Sequence, residues 1–214
     1  MRKNLKETVY QGIYDNVTNG KYKQNDILTE SMLIEEFGVS KSPVREALIE
    51  LCKDGILKNI PRMGYQVIPV TLQEIIDILE LRADIETRGL KKAFPLITED
   101  NLEQLTALIQ KQAEKDDQIV SNNWSKNYEF HMALYSFNGN NYAYKILSQL
   151  IRQSARYISQ YFLSAWGRER ESKGRYHMAI VEALKKGNIQ EACDILEKDI
   201  LVVKEEILVL HSMK

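Results

Sequence analysis

Apolar positions recur at helical spacing along most of the chain, and the places where that rhythm breaks define its layout. Leu5, Val9, Ile13 and Val17 share one face of a helix over 5–18 that Asn19-Gly20 ends. After a polar loop, Thr29 caps a short helix carrying Leu33, Ile34 and Phe37, and Gly38 closes it in a left-handed conformation. A further helix follows, with Ser42 as N-cap and Pro43 at the first helical position, where its missing N–H costs nothing. Val44, Ala47, Leu48 and Leu51 give it an inward face, and it stops at Asp54-Gly55. Ile56–Ile60 and Tyr65–Val70 are then short β-prone runs around Pro61-Arg62-Met63-Gly64, a hairpin signal. Three helices followed by a two-stranded hairpin is the order of a winged helix-turn-helix.

From Thr71 the pattern is helical throughout. Thr71 with Glu74 makes a capping box, and helical segments are expected over 71–92, 98–116, 121–138, 141–166, 168–187 and 188–212. Breaks fall at Pro95, at Asp116–Ser121, at Gly139-Asn140-Asn141, near Gly167 and at Gly187-Asn188. The chain therefore divides into residues 1–70, with a small β-hairpin wing, and residues 71–214, all-helical. The fold class is mainly α.

Composition narrows the field. The 44% apolar and 28% charged residues of this 214-residue chain describe a globular protein with two modest cores. No apolar run approaches the length of a membrane span and no leader pattern opens the chain. Cys52 and Cys193 lie far apart inside helical segments and form no ligand motif, which reads as free thiols in a cytoplasmic protein. The net charge is −1, and residues 1–70 carry ten Lys/Arg against nine Asp/Glu. A DNA partner thus requires that the cations gather on one face.

Lys41, Arg45 and Arg62 are the residues that could gather there. Arg45 falls in the first turn of the helix after Gly38 and Arg62 at the hairpin tip. The same signals also describe an ordinary capped surface helix. In the helical part, Arg82 lies on the apolar face set by Ile75, Ile76 and Leu79, one turn before Glu86. Two readings stand together: an internal Arg82–Glu86 pair, or a guanidinium that takes the carboxylate of a bound effector. Arg152 and Arg156 are weaker candidates of the second kind, and the aromatics Tyr157, Tyr161, Phe162 and Trp166 read as core. Asn127 and His131 are four apart on one helix, His177 opens a later one, and Asp199 lies in the last. Read alone, they are partly buried histidines hydrogen-bonded to Asn127 and Asp199. His211 carries no role.

The run Gly38-Val39-Ser40-Lys41-Ser42-Pro43-Val44-Arg45-Glu46-Ala47-Leu48, with Leu51, Asp54-Gly55 and Gly64, resembles the GntR family of bacterial transcriptional regulators. The helical remainder resembles that family's FadR-type (FCD) branch. The resemblance implies a winged helix-turn-helix followed by an all-helical FCD-type bundle that binds an effector and dimerises. It implies a homodimer on a near-palindromic double-stranded operator. Lys41 and Arg45 match DNA-contacting positions, and Ser31, Ser42 and Gly64 match nearby ones. Physically, Arg45 suits a bidentate contact to guanine O6 and N7, while Lys41 and Arg62 suit phosphates.

In the FCD branch, Asn127, His131, His177 and Asp199 match a metal-binding set of one aspartate and three histidines. Asn127 stands where the aspartate is usual and Asp199 where the third histidine is usual. Two imidazoles and one carboxylate remain, a set that suits zinc, nickel or manganese. The resemblance also implies a small organic acid as effector, with Arg82 and Arg152 as its candidate contacts. The expected function is a ligand-responsive dimeric repressor, and not an enzyme. The alternative from another class is a metal-dependent enzyme in which the two-histidine, one-carboxylate set activates water. No nucleophile–base pair or phosphate loop accompanies it.

Overall fold

The computed structural model describes residues 5–114, 120–166 and 176–212, with side chains left out at 113–124, 161–166, 210 and 211. The break near Gly167, the helix start at 168, and the side chains of Tyr161, Phe162, Trp166 and His211 lie outside the described residues.

Contacts divide the chain into two compact units, 1–72 with 155–170, and 73–154 with 171–214. The first unit opens with helix α1 (Leu5–Thr18), strand β1 (Ile27–Leu28), α2 (Glu30–Phe37) and α3 (Lys41–Lys53). Strands β2 (Leu57–Ile60) and β3 (Gly64–Val67) follow. Its sheet has the order β1-β3-β2, all antiparallel, with Asn59 opposite Tyr65 and Leu28 also opposite Tyr65 across the other edge. The hairpin is the one the β-prone runs predict. Strand β1 was not expected: two residues are too few to show an alternation, and the segment reads as polar loop.

The predicted apolar faces close on one core. Val9, Ile13 and Val17 from α1, Leu33 from α2, and Val44, Ala47, Leu48 and Leu51 from α3 are all fully buried with Ile56, Leu57 and Val67. Leu5, at the free end of the α1 stripe, is half exposed. Thr29 caps α2 by accepting from Met32 N–H, and Gly38 ends it at φ 62 with its N–H on Ile34 O, both as expected. The cap of α3 is shifted. Ser40 takes the extended N-cap conformation, the helix begins at Lys41, and Pro43 is its third residue. Pro is tolerated there because the first-turn N–H groups have no partner within the helix. Ser42 instead donates its hydroxyl to Glu46 Oε1 at 2.9 Å.

Helix α7 (Asn141–Trp166) supplies its residues from Ala155 onward to this same unit. Arg156 there is fully buried, and its guanidinium donates to the backbone carbonyls of Ile68 (3.0 Å), Gly55 (3.3 Å) and Ile56 (3.4 Å). Gln160 donates to Val17 O. Arg156 is therefore seen as a structural cation beneath the hairpin.

The second unit takes in α4 (Leu72–Ala93), a 3-10 turn at Phe94–Leu96, α5 (Glu99–Glu114), α6 (Val120–Ser136), the start of α7, α8 (His177–Lys185) and α9 (Ile189–Ser212). Pro95 and Gly187 break the helices where the sequence predicts. Ile75 and Leu79 of α4, Phe130 and Leu134 of α6, Leu147 and Ile151 of α7, Ile180 and Leu184 of α8, and Leu196 and Ile200 of α9 are buried in it.

Candidate functional site

The first candidate site is the exposed face of α2, α3 and the wing. Gly38 turns the chain so that α3 starts three residues later, with Lys41 at its first position and Arg45 one turn on. Residues four apart share a helix face. Both side chains are more than half exposed, while Val44, Ala47 and Leu48 anchor the opposite face. Arg45 Nε donates to Glu30 Oε1 at 2.7 Å, and Lys41 Nζ lies 3.3 Å from Glu30 Oε2. Arg45 thus pairs with a neighbouring helix. The bond from Arg45, with help from Lys41, holds the Glu30 carboxyl below its usual range.

Ser31 is exposed beside these residues, its hydroxyl 3.1 Å from Thr29 Oγ1, and Ser42 is exposed on α3. Arg62 sits exposed at the wing tip at φ 65, so the left-handed residue of the turn is Arg62 itself as well as Gly64. Gly64 sits at φ 131, a conformation that favours glycine, and a Cβ there would also lie 2.5 Å from Leu28 O of the neighbouring strand.

The second candidate site lies in the helical unit. His131 of α6, His177 of α8 and Asp199 of α9 bring their ligand atoms within 4.8 Å of one another. His131 Nε2 is 3.1 Å and His177 Nε2 3.7 Å from Asp199 Oδ2. Two ligands about 2.1 Å from a tetrahedral ion are about 3.4 Å apart, so these separations are those of donors around one cation. Both Nε2 atoms are buried and lack a hydrogen-bond partner. Each Nε2 faces the Asp199 carboxylate, and two imidazoles with one carboxylate are a donor set that fits a divalent cation. Asn127 is half-buried one turn before His131 on α6.

Behind His131 stands a carboxylate that the sequence did not flag in this role. Glu86 Oε2 contacts His131 Nδ1 at 2.5 Å, while Glu86 Oε1 accepts from Arg82 Nε at 3.0 Å. Arg82 Nη1 donates to Ser154 Oγ at 2.9 Å. The internal Arg82–Glu86 pair is therefore present, and Arg82 and Glu86 are both 3% exposed. Arg82 Nη2 lies 3.0 Å from Glu86 Oε1 but off the line of a hydrogen bond, which leaves one buried donor unmet. Arg152, half-buried on α7, places its guanidinium 4.8 Å over the Tyr128 ring.

The two rings are shifted in opposite directions. Burial pulls His131 down, but Glu86 and Asp199 overcome it and raise the imidazole to about 9. Burial, which dominates for His177, lowers that ring and favours the neutral form, stacked on Phe130 with ring centroids 3.8 Å apart. Burial would raise Asp199, yet its attraction to both histidines holds the carboxyl well below the usual range.

A winged helix-turn-helix and a separate helical unit with a buried polar cluster define the class, a DNA-binding transcriptional regulator. Residues 5–67 match the family described as bacterial regulatory proteins, gntR family, and residues 77–200 match the FCD domain. The chain belongs to this family of GntR regulators with an FCD domain.

An uncharacterized HTH-type transcriptional regulator of Bacillus subtilis, YdhC, is 26% identical over 189 residues, spanning 86% of this chain and 82% of its own. The gluconate operon transcriptional repressor of Bacillus licheniformis is 41% identical over 71 residues, 33% of this chain and 29% of its own. Among solved structures, McbR/YncC of E. coli superposes with a TM-score of 0.73 at 21% identity over 98% of both chains, a likeness of fold. The relatives are regulators, so the reading of the helical unit as an enzyme gives way. Among the described residues no helix is long and apolar enough to cross a membrane.

Proposed function

We propose that this regulator is a cytoplasmic homodimeric repressor that reads a near-palindromic operator and changes its grip when a small carboxylate effector binds. In this reading residues 1–70 carry the DNA contacts and residues 71–214 the effector and dimer contacts. The observation that carries it is the pair Lys41 and Arg45, one turn apart and exposed at the start of a helix whose other face is locked into the core. Arg45 reads a guanine, Lys41 and Arg62 hold phosphates, and Ser31, Ser42 and Gly64 lie at nearby contact positions. Repression is supported by the gluconate operon repressor, whose match spans 71 residues.

His131, His177 and Asp199 would hold a divalent cation (zinc, nickel or manganese), with Asn127 as a weak fourth donor through its amide oxygen. The ion would supply a fixed positive charge for an anionic effector. The unmet Arg82 Nη2 is a second donor for a carboxylate, and Arg152 a third. Glu86 keeps His131 oriented, and Phe130 covers one face of His177.

The test is fluorescence anisotropy of the full chain on duplexes from the region upstream of its own gene, at physiological salt with unrelated DNA as competitor. Competitor-resistant binding that Arg45→Ala abolishes is the expected result. Weak binding that follows salt alone and ignores Arg45 would refute the reading.

A further inference from the structure

We infer that Glu30 is a positioning residue for sequence reading: its carboxylate grips Arg45 by Nε and so presents the guanidinium fork to a base. The inference rests on the proposed reading of Arg45 and adds a residue that lies outside the recognition helix.

Glu30 is the first residue of α2, and the Thr29 cap fixes the backbone from which it projects. Its two oxygens divide their work, Oε1 accepting from Arg45 Nε at 2.7 Å and Oε2 lying 3.3 Å from Lys41 Nζ. Lys41 and Arg45 are one turn apart on α3, so one carboxylate spans both. The bond to Arg45 uses Nε, and among the described residues the two Nη atoms have no hydrogen-bond partner. Those two nitrogens form the fork that matches guanine O6 and N7. An arginine held in this way has surrendered much of its rotamer freedom before DNA arrives, so binding forfeits less of it.

Placing an acid here has a cost in DNA affinity that a gain in specificity would offset. Residues 1–70 carry ten Lys/Arg and nine Asp/Glu, and a carboxylate set between two of the exposed cations repels phosphates of every sequence. The ordinary role of a first-turn glutamate is to favour a helix N-terminus, which any acid in that turn satisfies. The two roles predict opposite signs. A glutamate that only caps charge would, once neutralised, let all DNA bind more tightly. A positioning glutamate would, once neutralised, lose the preferred sequence while random DNA binds as before or better.

The experiment uses the full chain and a duplex that the wild-type protein enriches from a random-sequence pool. The readout is the ratio of Kd for a random duplex to Kd for the enriched one. Glu30→Gln is expected to lower that ratio roughly tenfold, with the loss concentrated at the base pair where Arg45→Ala also loses discrimination. Glu30→Asp, which keeps the charge on a shorter arm, retains more of the ratio than Glu30→Gln. Thermal melting separates these effects from loss of fold. Glu30→Gln tightening both duplexes by one factor, or leaving the ratio unchanged while Arg45→Ala collapses it, overturns the role of Glu30 alone. A wild-type protein that enriches no sequence, or an Arg45→Ala that keeps the full ratio, overturns the reading of Arg45 and the inference with it.

Discussion

Glu86 stands behind His131: its Oε2 lies 2.5 Å from Nδ1 of the ring, on the side away from Asp199. In the neutral imidazole a proton on Nδ1 is held by that carboxylate, and Nε2 keeps its lone pair for a cation. Partners of this kind typically change metal affinity about 10–100-fold when removed. Glu86→Gln is expected to weaken zinc binding by that factor in competition with a chromophoric chelator. An unchanged affinity would leave Glu86 as a partner of Arg82 only.

Metal content is the direct check on the cluster itself. Gently purified wild-type protein is expected to carry one divalent ion per chain by elemental analysis, and His177→Ala none. Because the ion binds the folded form, a chelator should lower the melting temperature of the wild type and leave His177→Ala unmoved. A wild type that arrives without metal and takes none up in titration would contradict the assignment.

Two glycines with left-handed backbones separate strain from space. Gly38 has open surroundings at φ 62, whereas a Cβ at Gly64 would lie 2.5 Å from Leu28 O. Gly38→Ala should cost about 1 kcal/mol from the backbone alone. Gly64→Ala must also displace strand β1 and should cost more, up to about 3 kcal/mol. Urea unfolding of the two variants gives the comparison, and equal losses would refute it.

The core prediction is plainer. Leu48 of α3 is fully buried in the core that α1, α2 and the sheet residues share, so Leu48→Ala should destabilise by about 2–5 kcal/mol. Denaturant titration would show it as a lower midpoint with an unchanged slope.

What the sequence made legible was local. Thr29 and Gly38 act within four residues of themselves, and the hairpin needs only its turn and flanking runs, so all three could be read directly. The start of α3 was misplaced because Ser40 and Ser42 are equally good caps, and Pro is accepted at either the first or the third position of a helix. Arg82–Glu86 was visible because i,i+4 partners follow from helical period. The contact of Glu86 with His131 spans 45 residues and that of Glu30 with Arg45 spans 15. No periodicity reports which helices face each other, so the sequence marks Glu86 only as a partner of Arg82 and does not mark Glu30. His131 and His177 were found through a family pattern, and geometry adds that their Nε2 atoms meet at Asp199.

Arg156 bears on how this regulator can be taken apart. Its guanidinium meets three carbonyls at the root of the hairpin, and it is encoded 88 to 101 residues after them. Arg156→Met should therefore cost about 1–3 kcal/mol and loosen the wing without touching any DNA-facing residue. The same arrangement makes the reading head discontinuous in the gene. A chimera that grafts residues 1–72 onto a foreign helical partner inherits the recognition helix but leaves behind the cation on which its wing rests. Such a transplant should work only where the recipient supplies an equivalent arginine.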